Sequence, residues 1–254
     1  MIREFDMSYL GCMSYFLGIE VLQKKEGIFI CQRRYAEEVL RIFGMLERNY
    51  VNNPTVPGMQ INSDAEGEPV DETYYKQIVG SHMYLTSTKP DLMYATSLLS
   101  RYMAKPTELH LQVAKRVLRY LKGTMNLGIF YKMSSQGKEL KAYTDSDYAG
   151  DAEDRNSTSG YTFLLSSGAA AWSSKKQPIV MLSTTKAEFV ATIVCACQVV
   201  WMKRILMVLG HEERDCIRIN CDNSSSIKLS KNPVMHGRSK HIDVRFHFLR
   251  NLSK

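Results

Sequence analysis

The sequence predicts an α/β chain in two parts: a mainly helical stretch over residues 1–126 and, from Leu127, a mixed sheet with flanking helices. Three observations carry this. Apolar residues recur at helical spacing in 34–43 and again in 74–121. From 127 onward they gather in short runs rich in β-branched and aromatic residues, parted by Gly, Ser and Asn. One long apolar helical stretch then follows those runs. Antiparallel strands, a helix, a further strand and more helices make a mixed α/β layer fold.

Taken in order, 16–20 and 28–31 read as two strands joined by a turn at Lys24-Lys25-Glu26-Gly27. Residues 34–43 place Tyr35, Val39, Ile42 and Phe43 on one helical face. The stretch 52–73 holds Pro54, Pro57, Gly58, Gly67 and Pro69, and its charges are all acidic, as in an exposed connector. Helices are expected at 74–85, 91–103 and 107–121, with Pro90 at a first turn, Thr107 as N-cap, and a stripe of Leu111, Ala114, Leu118 and Leu121. Strands are expected at 128–131, 140–144, 161–165, 170–173 and 179–182. After them come a long helix over 186–209, a strand at 217–221, and helices at 225–230 and 242–252.

The bulk properties narrow the function. With 44% apolar and 23% charged residues the chain reads as globular rather than disordered. Thirty-three Lys and Arg against 26 Asp and Glu give a net charge of +7, which suits a polyanion, nucleic acid first and an anionic membrane surface second. The opening residues lack the basic start and apolar core of a signal peptide, so no export is expected. No apolar run approaches the roughly 20 residues of a membrane span, and no membrane partner is expected. The six cysteines form no C-x-x-C pair, so reduced thiols are expected, and the histidines show no zinc pattern. A metal here would be held by carboxylates.

Three acids stand at the edges of apolar elements. Asp145 follows the run 140–144, Glu188 lies in the first turns of the long helix, and Asp222 follows 217–221. If the two strands are adjacent and the helix crosses them, the three carboxylates converge at one end of the sheet. Such a cluster repels itself until a cation neutralises it, which calls for Mg²⁺ or Mn²⁺. Two such ions roughly 4 Å apart serve in-line attack on a phosphodiester. Singly, each acid reads more often as a turn Asp or a capping Glu, and the trio together leaves the two readings level.

The motifs around these acids decide between the readings. Thr144-Asp145-Ser146-Asp147-Tyr148-Ala149-Gly150-Asp151, Arg155-Asn156-Ser157-Thr158-Ser159-Gly160-Tyr161, Trp172-Ser173-Ser174-Lys175-Lys176-Gln177, Ser183-Thr184-Thr185-Lys186-Ala187-Glu188-Phe189, Cys221-Asp222-Asn223 and Lys240-His241-Ile242-Asp243 resemble, in order, the motif series of copia-class ribonuclease H domains. Tyr15-Phe16-Leu17-Gly18-Ile19-Glu20, Gly80-Ser81-His82-Met83-Tyr84-Leu85, Lys89-Pro90-Asp91 and 114–124 are similar to the region after the polymerase active site of the same retrotransposon Pol polyproteins. The resemblance implies a ribonuclease H-like mixed sheet over 127–254, truncated at its C-terminus, preceded by the end of a reverse transcriptase over 1–126. It implies that Asp145, Glu188 and Asp222 are catalytic ligands of two Mg²⁺ or Mn²⁺ ions. It also implies an RNA–DNA hybrid as substrate, the rest of the polyprotein as partner, and a location in the cytoplasm or a virus-like particle.

Two departures matter. No Tyr-x-Asp-Asp string occurs, so polymerase activity is not expected. The family's fourth acid sits on a final helix after one more strand, and the sequence ends at Lys254 before either; Asp243 lies one element too early to replace it. Cations expected to grip phosphates are Lys115, Arg116, Arg119 and Lys122 on one helix and Arg238 and Lys240 near the C-terminus. Solvated helix faces are the other reading of both. An inactive relic that only binds nucleic acid is the alternative to a nuclease. Arg116-Val117-Leu118-Arg119 also spells the R-x-L-R string of secreted effectors.

Overall fold

The computed structural model describes residues 11–133, 140–211 and 216–231. The described residues form a mixed α/β structure with two four-stranded sheets and six α-helices. The first sheet opens with β1 (Tyr15–Phe16), β2 (Ile19–Lys24) and β3 (Gly27–Cys31), all antiparallel. Leu17 and Gly18 both have positive φ, the tight hairpin turn whose twist suits flanking strands. That turn moves the main strand to 19–24, later than the expected 16–20, and the second turn narrows to Lys25-Glu26.

Helices α1 (Arg33–Ile42), α2 (Glu72–Leu85), α3 (Met93–Ser100) and α4 (Glu108–Gly123) follow, with a 3₁₀ turn at Pro90–Leu92 ahead of α3. The predicted stripe on α4 is buried, with Ala114, Leu118 and Leu121 fully enclosed. It joins Leu40, Ile78, Leu85, Leu92 and Leu99 in one cluster. Thr107 begins α4 as expected, and its N–H donates to His110 Nδ1 at 2.9 Å.

The strand expected at 128–131 does form, as β4 (Ile129–Lys132), but it pairs antiparallel with β3 and completes the first sheet. A Cβ at Gly128 would lie 2.2 Å from the Ile30 carbonyl oxygen, so the close approach requires glycine there.

The second sheet comprises β5 (Leu140–Ser146), β6 (Thr158–Leu165), β7 (Gly168–Lys176) and the short β8 (Ile219–Asn220), in the order β7-β6-β5-β8. Only β8 runs parallel to its neighbour, β5. Helix α5 (Thr184–Val208) carries the chain from β7 to β8, and α6 (Ser224–Lys231) follows β8. On β5, Leu140, Ala142 and Thr144 are buried while Lys141, Tyr143 and Asp145 are exposed, the period-two pattern of a sheet covered on one face.

The strand expected at 179–182 is absent. Pro178 removes a ladder donor, and Met181 alone turns inward to meet Ala187 and Val190. Ser183 then caps α5 by accepting from the Lys186 N–H. By length and composition α5 is apolar enough to cross a membrane, the hardest case for the sequence expectation; 44% of its most apolar window is buried inside the fold. The helix expected at 242–252, with Asp243, lies outside the described residues.

Candidate active site

Three separate elements deliver the predicted acids to one place. Asp145 is the penultimate residue of β5 and lies opposite Gly160 of β6. The parallel pairing of Tyr143 with Asn220 carries the chain onward through Cys221 and Asp222 beside that strand end. Glu188 comes from the start of α5, 6% exposed. Its carboxylate accepts the Ser146 N–H at 3.3 Å, and the Cys221 thiol donates to it at 3.9 Å. One potential ligand atom each from Glu188, Cys221 and Asp222 lie within 4.8 Å of one another.

Burial, reinforced by the neighbouring Asp145 and Asp222 carboxylates, pushes the Glu188 carboxyl up to about 7. A buried acid pressed by two others is the electrostatic signature of a site that a cation would relieve.

Sequence reasoning named these acids but not their supports. Gln177 is buried, and its amide nitrogen donates to Ser159 Oγ at 2.7 Å and to the Ala187 carbonyl at 3.0 Å. It thereby fixes the start of α5 to the edge of the sheet, one residue from Glu188. The second Asp of the motif, Asp147, accepts the Thr158 N–H and shapes the loop before β6. Asp151 binds Lys176 at 2.7 Å and Arg101 at 3.0 Å. Its burial works to raise its carboxyl, yet the Lys176 hydrogen bond and the N–H groups of Glu153 and Asp154 hold it down at about 2. Those pairings cross long sequence distances, so no local pattern announces them.

The expected cation patch on α4 is partly committed elsewhere. All four of Lys115, Arg116, Arg119 and Lys122 are half-buried; Arg119 Nε donates to the Asn49 carbonyl at 2.8 Å and Lys122 Nζ to the Arg48 carbonyl at 2.7 Å. Within the R-x-L-R string Val117 and Leu118 are fully buried. Arg238 and Lys240 lie outside the described residues.

Residues 1–57 match the family model for reverse transcriptase (RNA-dependent DNA polymerase). The chain is 41% identical over 239 residues to the retrovirus-related Pol polyprotein from transposon RE1 of Arabidopsis thaliana, covering 94% of this chain and 16% of that one. It is 36% identical to the corresponding polyprotein of transposon TNT 1-94 of Nicotiana tabacum, covering 98% and 19%. The chain belongs to the copia-type retrotransposon Pol polyproteins. It spans less than a fifth of the length of these two polyproteins. A shorter match, 43% identical over half of this chain, covers 90% of the secreted RxLR effector protein 161 of Plasmopara viticola.

Proposed function

We infer that residues from the second sheet onward are a ribonuclease H unit hydrolysing the RNA strand of RNA–DNA hybrids, and that the preceding half is the end of a reverse transcriptase. The observation that carries this reading is the meeting of Asp145, Glu188 and Asp222 from β5, α5 and the end of β8. The sheet order, with three antiparallel strands followed by a helical crossover to a parallel fourth, supports the same assignment. The activity would belong inside the cell, in the cytoplasm or a virus-like particle, with the rest of the polyprotein as partner.

The donor set is dominated by hard carboxylate oxygens and suits Mg²⁺ or Mn²⁺; Asp145, Glu188 and Asp222 would hold two such ions. When bound, the pair supplies neutralisation of the attacked phosphodiester and acidification of the attacking water. The chain's own part is positional. Ser146 N–H and Gln177 hold Glu188 at the sheet edge, and Gly160, having no side chain, leaves the space across from Asp145 open. Exclusion of water by the buried side of Glu188 strengthens each charge there.

The test is cleavage of a labelled RNA–DNA hybrid by the purified chain in Mg²⁺, with Asp145→Asn alongside. Cleavage lost in the variant is the expected result. No cleavage by either protein, or equal cleavage by both, overturns the nuclease, and salt-sensitive hybrid binding in that case would mark a nucleic-acid-binding relic.

A further inference from the structure

A groove of about 700 Å³ runs from the carboxylates across the face of the second sheet not covered by α5, and its far wall belongs to the first half of the chain. Cross-strand register puts Tyr143, Thr162 and Trp172 in one row on this face and Asp145, Gly160 and Ser174 in the next. Facing them are Met93 and Tyr94 at the start of α3. Tyr94 is 49% exposed and Tyr143 is 43% exposed. Trp172 is pinned by its indole N–H to the Thr86 carbonyl at 2.9 Å, so the interface between the halves sets its orientation.

We propose that this groove binds unpaired RNA continuous with the cleaved strand, with Tyr94 of the first half stacking on a base and thereby acting as a specificity residue for the ribonuclease H site. The proposal rests on the hydrolase reading above. The groove has the volume of a small-ligand pocket, too small for a double helix. Exposed aromatic rings beside a row of hydroxyls are the chemistry that single-stranded RNA recognition uses, stacking for the bases and hydrogen bonds for the 2′-hydroxyls. Among the described residues that line the groove there is no lysine or arginine, and Asp145, Asp147 and Asp222 stand at its acidic end, so stacking and hydrogen bonding rather than phosphate attraction are what these residues offer. Tyr94 is free to serve because its ring lies outside the core cluster.

Cleavage of a blunt RNA–DNA hybrid is compared with that of the same hybrid carrying a short RNA extension or a DNA extension. The RNA extension should raise kcat/KM about tenfold, as expected for one stacked base. That ratio should fall to about one in Tyr94→Ala and survive in Tyr94→Phe. Separately, 2-aminopurine in the RNA extension should be quenched on binding by the Asp145→Asn chain and not by Asp145→Asn with Tyr94→Ala. Quenching without cleavage in the unsubstituted chain would overturn the nuclease and keep the groove. An equal gain from the DNA extension, a ratio unchanged in Tyr94→Ala, or absence of quenching overturns the proposal.

Discussion

The helical half packs Leu40, Ile78, Leu99 and Leu118 into one continuous core without measurable exposure, whereas the described part of the sheet half divides its buried residues among three small clusters. Polar groups show the same contrast. In the helical half, Lys89 is buried and donates to the Thr124 and Leu127 carbonyls, at 2.6 and 3.2 Å, and His82 Nε2 donates to the Ala114 carbonyl at 3.2 Å. In the sheet half, the buried Glu188 faces like charges. Mechanical solidity thus resides in the half without the acids, and the half with them leans on it. Arg101 reaches across to Asp151 and Thr158, both at 3.0 Å, Trp172 to Thr86, and Tyr131 of β4 to the Ala169 carbonyl at 2.6 Å.

Cavity formation is the largest lever on this contrast. Leu118→Ala should cost about 2–5 kcal/mol, read in urea unfolding, while Leu206→Ala in the smaller cluster around β5 should cost less because its surroundings can close in or admit water. Equal losses would show that the sheet core is as tight as the helical one. Next comes the latch. Arg101→Ala removes one of two cations from a buried aspartate and should cost about 1–3 kcal/mol, with faster amide hydrogen exchange in β6 and β7 than in α2 and α4. Uniform acceleration in both halves would deny that the sheet leans on the helices.

The pH responses should have opposite signs. Burial holds His82 down to about 4, so the unfolded chain binds the extra proton first. Its contribution is present above the unfolded value near 6.5 and is lost as pH falls toward 4. Glu188 is pushed up to about 7, so the folded chain holds its proton more tightly. That contribution is present below the unfolded value near 4.5 and is lost as pH rises through 7. Glu188→Gln should therefore abolish hybrid cleavage yet raise the thermal midpoint by a few degrees at pH 8 without metal. Mg²⁺ should raise the midpoint of the unsubstituted chain at pH 8 and do little at pH 5; a metal effect independent of pH would separate the ion from these acids. The smallest effect belongs to Lys122→Met. If its ammonium is committed to Arg48, the salt dependence of hybrid binding should not change, whereas a phosphate contact would lower the slope by about 0.9.

Local chemistry made much of this legible in the sequence. Helical spacing located the four helices of the first half to within a few residues, and Asp145, Glu188 and Asp222 were readable because each ends or begins an apolar run. What escaped depends on pairing at a distance. Nothing near Ile129 reveals that β4 joins β3 a hundred residues earlier rather than the sheet that follows. The run at 179–182 has the composition of a strand, but it follows Pro178 and finds no neighbour to pair with among the described residues. Gln177 looked like the end of a motif, and only the packing of α5 against β5 shows that it braces Glu188. Tyr94 read as one more residue of a helix, since a groove wall exists only once the two halves meet.

The bond from Trp172 to Thr86 also gives the chain a gauge of its own assembly. Of its two tryptophans, Trp201 stands 52% exposed on α5, while Trp172 sits half-buried where the halves touch. With Trp201→Phe in place, a red shift in emission would register the sheet half parting from the helical half before either unfolds, and so would time the opening of the groove itself.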